Sequence, residues 1–185
     1  MNALDIPPVS AIADVLKLWG LDGWLTPPLS PIVAPRSVII GEVVTLSVVS
    51  APTGPSLAPA YSILSRDLSG RFVVIGGGAA VAGAIWGEIR STAAAANDAL
   101  GVLIDGSVRD RPTMAAIGLP VYASAVCVVG PNGTAHVTEV GGDVVIGGVV
   151  ISARDSVVAD ATGCVRVPQA ELDDVLEAAW RYADA

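Results

Sequence analysis

Three side chains in this sequence have types and spacings that could do chemistry together: Glu88, Arg109 and Asp110. Glu88 follows Gly87 at the start of an Ala-rich stretch that reads as a helix. The first N–H groups of a helix and its positive dipole end attract an anion, and the same end stabilises Glu88 as a carboxylate. Arg109 and Asp110 follow Gly101-Val102-Leu103-Ile104, an apolar run that reads as a strand. In α/β domains, ligands bind at the carboxyl ends of strands. The planar fork of Arg109 suits a carboxylate, and the hard oxygens of Asp110 suit Mg²⁺ or Mn²⁺. A plainer reading stands beside this one. The two residues could be a surface ion pair, with Asp110 as the N-cap of a helix opened by Arg111-Pro112.

Other chemistries are pruned by what the chain lacks. Lys17 is its only lysine and His136 its only histidine. A Schiff-base aldolase needs a desolvated lysine, and Lys17 falls on the polar side of the first helical stretch. A Ser-His-Asp hydrolase would need His136, which lies in Thr134-Ala135-His136-Val137-Thr138, an alternating stretch typical of a sheet surface. The glycines Gly76, Gly77 and Gly78 invite a nucleotide reading. A phosphate-binding loop needs Gly-Lys-Ser/Thr, and a dinucleotide fingerprint would need glycine where Val81 stands. These glycines read as a turn.

The elements that must position the trio follow from periodicity. Ser10 can cap a helix with Ile12, Val15, Leu16 and Trp19 on one face, ended by Gly20. A Pro-rich connection follows, and residues 37–50 are rich in β-branched side chains and read as one or two strands. Residues 51–59 read as loop, 61–68 as a short helix and 71–75 as a buried strand. The Ala-rich helix runs from Glu88 to about Leu100, and 102–105 is a strand. A short helix from Arg111 ends at Gly118, and 119–124 is a strand that 126–130 could continue after a break. Residues 143–152 read as a hairpin turning at Gly147-Gly148, and 157–160 and 164–167 as two strands. The last stretch, 169–183, is an amphipathic helix with Leu172, Val175, Leu176 and Ala179 on one face. Strands alternating with helices in the middle suit an α/β layered domain.

Bulk properties bound the rest. A chain of 185 residues fits one domain, spanning 1–185. Apolar residues make up 52 % and charged residues 15 %, which places it among globular chains. Much of the apolar content is Ala and Val, so subunit contacts are expected to supply part of the stability. A net charge of −8 argues against a nucleic-acid partner. No uncharged apolar run approaches the ~18 residues of a membrane span. Residues 1–10 lack the basic start of a secretory signal. Two distant cysteines, Cys127 and Cys164, read as buried, unpaired core residues of a cytoplasmic protein.

Gly87-Glu88, a helix, the run from Gly101 through Asp105-Gly106-Ser107-Val108-Arg109-Asp110, and then Gly118-Leu119-Pro120-Val121-Tyr122-Ala123 together resemble the RraA-like family. That family includes 4-hydroxy-4-methyl-2-oxoglutarate aldolases with oxaloacetate decarboxylase activity, and regulators of ribonuclease activity. The similarity covers nearly the whole chain, and the 21-residue step from Glu88 to Arg109 matches the aldolase pattern. The resemblance implies a layered ββα domain of the swivelling type, assembled as a trimer or a pair of trimers. It implies substrate contacts from Gly87, Glu88, Ile89 and Arg90, partly through backbone N–H groups. Arg109 would hold a carboxylate or oxo end, and Asp110 would bind Mg²⁺ or Mn²⁺. The implied activity is metal-assisted carbon–carbon cleavage of a small 2-oxo acid to pyruvate, with Glu88 orienting a metal-bound water as acid or base. The alternative is a non-catalytic regulator that inhibits a ribonuclease or another partner, against which the retained Asp110 speaks. Family aldolases often carry Asp where this chain has Glu88. Some borrow an acidic residue from a neighbouring subunit, a role to which none of Glu171, Asp173, Asp174 and Glu177 can be matched.

Overall fold

A computed structural model describes residues 6–54, 56–131 and 133–183. Half of the stretch read for a secretory signal, residues 1–5, lies outside the described residues, as does Pro55 in the expected loop.

Helix α1 (Val9–Trp19) buries Val9, Ala11, Ile12, Val15 and Leu16. Trp19, expected on that face, is 47 % exposed, because the helix ends beside it. Ser10 does not cap it either: Pro8 holds the cap position, and the Val9 N–H is taken by Asp160 Oδ2 at 3.2 Å from a distant turn. Gly20 closes the helix in the left-handed region, and the Leu21 N–H returns to the Leu16 carbonyl at 2.9 Å.

The Pro-rich connection contains a strand that the prolines hid, β1 (Ser30–Val33). It lies at the sheet edge, against one partner among the described residues, where Pro31 is tolerated. Strand β2 (Ile39–Ser50) is one continuous element. Then come α2 (Pro59–Leu64), shorter than expected and starting earlier, and β3 (Arg71–Gly76). A three-residue strand, β4 (Ala84–Trp86), had no periodicity to announce it. Helix α3 (Glu88–Ala96) stops short of Leu100. Its end is fixed by the Asn97 amide, which donates to the Leu64 and Ala93 carbonyls, and by Asp98 at φ 61°. Strand β5 (Gly101–Val108), helix α4 (Arg111–Ile117) and strand β6 (Val121–Val126) follow. Residues 127–130 do not continue the sheet as expected; the Val129 carbonyl instead accepts the Ala84 N–H at 2.8 Å. The chain ends with β7 (Ala135–Val140), the hairpin β8 (Val144–Ile146) and β9 (Val149–Ile151), β10 (Asp155–Ala159), β11 (Cys164–Pro168) and α5 (Leu172–Ala183).

The main sheet runs β1-β6-β5-β3-β2-β10-β11, with β4 on β5 and β7 on β2. Its centre, β2, β3, β5 and β6, is parallel. Such strands are covered on both faces and read as unbroken apolar runs. In β3, Val73 and Ile75 point into one core, while Phe72 and Val74 point into another. Helices α2, α3 and α4 cover the first core, and the β8–β9 hairpin covers the second, through Val144, Ile146, Val149 and Ile151. Helices α1 and α5 pack together over β10 and β11 around Ile12, Leu16, Val158, Val167 and Val175. The layered mixed α/β fold is as expected. Among the described residues, no helix is long and apolar enough to cross a membrane.

His136 departs from expectation. It is 4 % exposed, not a surface residue of β7. Its Nδ1 accepts the Ser56 N–H at 2.8 Å and its Nε2 faces the Ala51 carbonyl at 3.0 Å, so the neutral Nε2–H tautomer fits both. The ring ties the 51–58 loop to β7. Cys127 and Cys164 are unpaired and half-buried.

Candidate functional site

Strands β4 and β5 run parallel, with Trp86 opposite Val108, so their carboxyl ends lie side by side. This brings Gly87-Glu88 against Arg109-Asp110 across 21 residues of sequence. Two bonds lock the junction. The Arg109 N–H reaches the Trp86 carbonyl at 3.0 Å, and the buried Trp86 Nε1 donates to Ser91 Oγ at 2.8 Å inside α3. The start of α3 is therefore pinned to the end of β4.

Gly87 allows a close approach of the Arg109 and Asp110 side chains. A Cβ there would stand 2.7 Å from Asp110 Oδ2 and 3.0 Å from Arg109 Cγ. Its neighbour across the gap, Asp110, sits in the left-handed region at φ 58°, ψ 37°. For a residue with a Cβ this conformation costs about 1–2 kcal/mol. The Asp110 carbonyl begins α4 by accepting the Met114 N–H at 3.0 Å, but its side chain makes no capping bond. The carboxylate instead turns to the Glu88 N–H at 3.4 Å and to Arg109 Nε at 3.3 Å. The surface-pair half of the plain reading is present, and the side-chain cap is not. Strain of this kind persists where surrounding structure enforces it, and such positions cluster at functional sites.

These residues line one cavity of about 210 Å³, together with Tyr61, Ala84, Ile89, Arg90 and Pro131. All six residues singled out in the sequence, Gly87, Glu88, Ile89, Arg90, Arg109 and Asp110, border it. Tyr61 from α2, Ala84 and Pro131 were missed. Only the tertiary path brings them in, and no spacing in the sequence signals them. The Arg109 head reaches toward Gly130, whose added Cβ would lie 3.4 Å from Nη1. The Arg90 guanidinium lies over the Tyr61 ring, 5.6 Å from its centroid. Burial holds the Arg90 pKa below the usual arginine range; the nearby Tyr61 works against that shift and the Arg109 charge adds to it.

Asp110 and Glu88 offer only oxygen ligands, which suit a hard divalent cation. Both contacts of Asp110 fall on Oδ2, and among the described residues none falls on Oδ1. No cluster of three or more His, Cys, Asp or Glu side chains occurs among the described residues. One or two carboxylates completed by waters and ligand oxygens is an ordinary arrangement for Mg²⁺, so the residues fit such an ion. The acidic residues near the chain end lie elsewhere. Asp174 and Glu177 border a separate groove with Trp19 and Arg181, and Glu177 pairs with Arg181. Lys17 is exposed on α1, and neither it nor His136 lines the cavity.

The sequence pattern of the RraA-like family, described as Aldolase/RraA, matches residues 9–166. An uncharacterized protein of Methanocaldococcus jannaschii is 28 % identical over 153 residues, 80 % of this chain and 70 % of that protein. A protein of Acinetobacter baylyi, provisionally named 4-hydroxy-4-methyl-2-oxoglutarate aldolase, is 27 % identical over 138 residues, 75 % of this chain and 78 % of its own. Protein DlpA of Legionella pneumophila is 23 % identical over 168 residues, but this chain spans only 27 % of its length. Among solved structures, an uncharacterized Pseudomonas syringae protein superposes with a TM-score of 0.82 at 25 % identity, covering 96 % of this chain and 83 % of that one. Streptomyces coelicolor RraAS2, described as an unusual member of the RNase ES inhibitor RraA family, shares the fold with a TM-score of 0.82 at 18 % identity, covering 95 % and 87 %. With its pattern matched from α1 into β11, the chain belongs to the RraA-like family, which holds both aldolases and RraA regulators.

Proposed function

We propose that this chain is a divalent-metal-dependent carbon–carbon lyase that cleaves a 4-hydroxy-2-oxo acid, or decarboxylates an oxaloacetate-type acid, to give pyruvate. The observation that carries this reading is the convergence of Glu88, Arg109 and Asp110 on one cavity at the N-terminus of α3. Asp110 would hold the cation, with waters and ligand oxygens completing its ligand set. A bound Mg²⁺ or Mn²⁺ supplies Lewis acidity, stabilising negative charge that develops on the 2-oxo end as the bond breaks.

The chain's own groups do the rest. The first-turn N–H groups of α3 at Ile89 and Arg90 have no intrahelical partners and offer donors to a carboxylate. Arg109 adds a forked cation for the carboxylate or oxo end and counters charge gathering there. Its contact with Asp110 keeps both side chains on the cavity wall. The exposed Glu88 carboxylate would orient a water and take or return its proton. Ile89, Val126, Val128 and Val129 are exposed apolar residues on or near this rim, which fits a homo-oligomer that covers part of it. Turnover of oxaloacetate and 4-hydroxy-2-oxo acids with Mg²⁺ or Mn²⁺, coupled to pyruvate detection, tests the proposal. Activity that persists in excess EDTA, or an imine trapped by borohydride at Lys17, would overturn it. If no acid is turned over, the regulatory reading of the same fold takes its place.

A further inference from the structure

Arg90 carries a charge that the proposed chemistry leaves without a task. Its guanidinium sits over Tyr61, and the residue borders both the cavity and a small apolar void lined by Leu46, Ile75, Ile85 and Val137. The Nε atom is enclosed and, among the described residues, meets no hydrogen-bond acceptor. Among the described residues no carboxylate pairs with Arg90, whereas Arg109 is paired with Asp110. The second arginine is near enough to act on the charge of the first. A cation drawn out of water beside a like charge, without a counter-ion, is unfavourable in the empty site. The Tyr61 ring offsets part of that cost, and an anion brought by the ligand would remove the rest.

We propose that Arg90 is the specificity-determining cation of this cavity: its guanidinium takes a second anionic group of the ligand. The site then prefers a 2-oxo acid bearing two carboxylates over one of the same length bearing one. This rests on the reading of the cavity as a 2-oxo acid site. It goes beyond that reading by giving the Arg90 side chain, and not only its backbone N–H, a selective role. The geometry agrees with the division of labour. Arg109, tethered to Asp110, serves the 2-oxo end near the cation ligand, while Arg90 borders apolar walls, lies over the Tyr61 ring and has no carboxylate partner among the described residues.

Calorimetric titration of the intact protein with Mg²⁺ present tests it, using 2-oxoglutarate and 2-oxopentanoate as probes. The two acids have the same chain length and differ in a terminal carboxylate against a methyl group. Wild type should bind 2-oxoglutarate roughly tenfold or more tightly than 2-oxopentanoate, the scale of one charge-assisted contact. Arg90→Gln should erase that preference by weakening 2-oxoglutarate far more than 2-oxopentanoate, and Arg90→Lys should keep part of it. Equal affinities for the two probes in wild type, or a preference that survives in Arg90→Gln, would overturn the proposal alone. So would an equal loss of both probes in Arg90→Gln and Arg90→Lys, which would mark a structural residue. Failure of wild type to bind either probe would remove the 2-oxo acid reading itself, and this proposal with it.

Discussion

Two neighbouring residues on the cavity wall, Gly87 and Asp110, have conformations or contacts that stability alone would not select. Asp110 holds a left-handed backbone without a glycine, and its exposed contacts to Arg109 and Glu88 are long. Surface pairs of that kind contribute little. Asp110→Gly should therefore raise stability by about 1 kcal/mol by relieving the strain, and it should abolish metal-dependent turnover. A thermal melt paired with the pyruvate assay checks both halves; a destabilised variant would mean that the carboxylate holds the fold together. Gly87→Ala should leave the fold intact, since its new methyl meets side chains and no backbone: the Asp110 carboxylate and the Arg109 Cγ, both of which must shift. It should lower turnover by about a hundredfold through displacement of those groups. Arg109→Lys keeps charge but loses the fork, so kcat/KM for a 2-oxo acid should fall by the equivalent of ~2 kcal/mol. Unchanged kinetics in that variant would place Arg109 outside the site.

Elements are held in place by a few buried polar groups at their junctions. The His136 ring joins the 51–58 loop to β7 through two hydrogen bonds, and that loop leads into α2, which carries Tyr61 to the cavity. Removing the ring leaves the Ser56 N–H and the Ala51 carbonyl to find new partners and opens a hole. His136→Ala should cost about 2–4 kcal/mol in a denaturant titration. At the β10–β11 end, burial pushes the Cys164 thiol up to about 12, with the Asp160 charge adding to the shift. Burial also raises the Tyr122 phenol, helped by Cys164 and Asp160, and that phenol donates to the Asp160 carbonyl at 2.6 Å. Both groups stay neutral in the folded protein at pH values where the unfolded chain ionises. The unfolded state then binds fewer protons, so stability falls as pH rises, from about 9 to 12 for Cys164. Denaturation midpoints measured up the alkaline range should decline, and Cys164→Ala should flatten the earlier part of the decline. A slope unchanged by that variant would remove Cys164 as its source.

At the scale of the whole molecule, the cavity lies on a face bordered by exposed apolar side chains. Val128 is 87 % and Ile89 67 % exposed. Single exposed valines are unremarkable, but several gathered beside a cavity mark a surface suited to association. With a core rich in Ala and Val, the working unit is expected to be a closed oligomer, a trimer or a pair of trimers, with sites near subunit boundaries. Specific activity should then drop on dilution through the dissociation range. Light scattering that finds a fully active monomer would refute this.

Features with a local cause are legible in the order of residues. Apolar runs marked the parallel strands buried on both faces, and Gly147-Gly148 marked the hairpin. The 3.6-residue period marked α1 and α5, and the types of Glu88, Arg109 and Asp110 named the chemistry to look for. Non-local causes were invisible there. Trp19 left the core because α1 ends beside it, Asn97 stopped α3 by bonding to α2, and His136 was buried by a loop some 80 residues away in sequence. Strands β1 and β4 were hidden for the same reason, since three- and four-residue strands exist only through their partners. The cavity itself was decided by tertiary structure. Parallel pairing of β4 with β5 set two loops side by side, and α2 then supplied Tyr61. Periodicity reports which face of an element is buried, but only packing decides which ends of two elements meet.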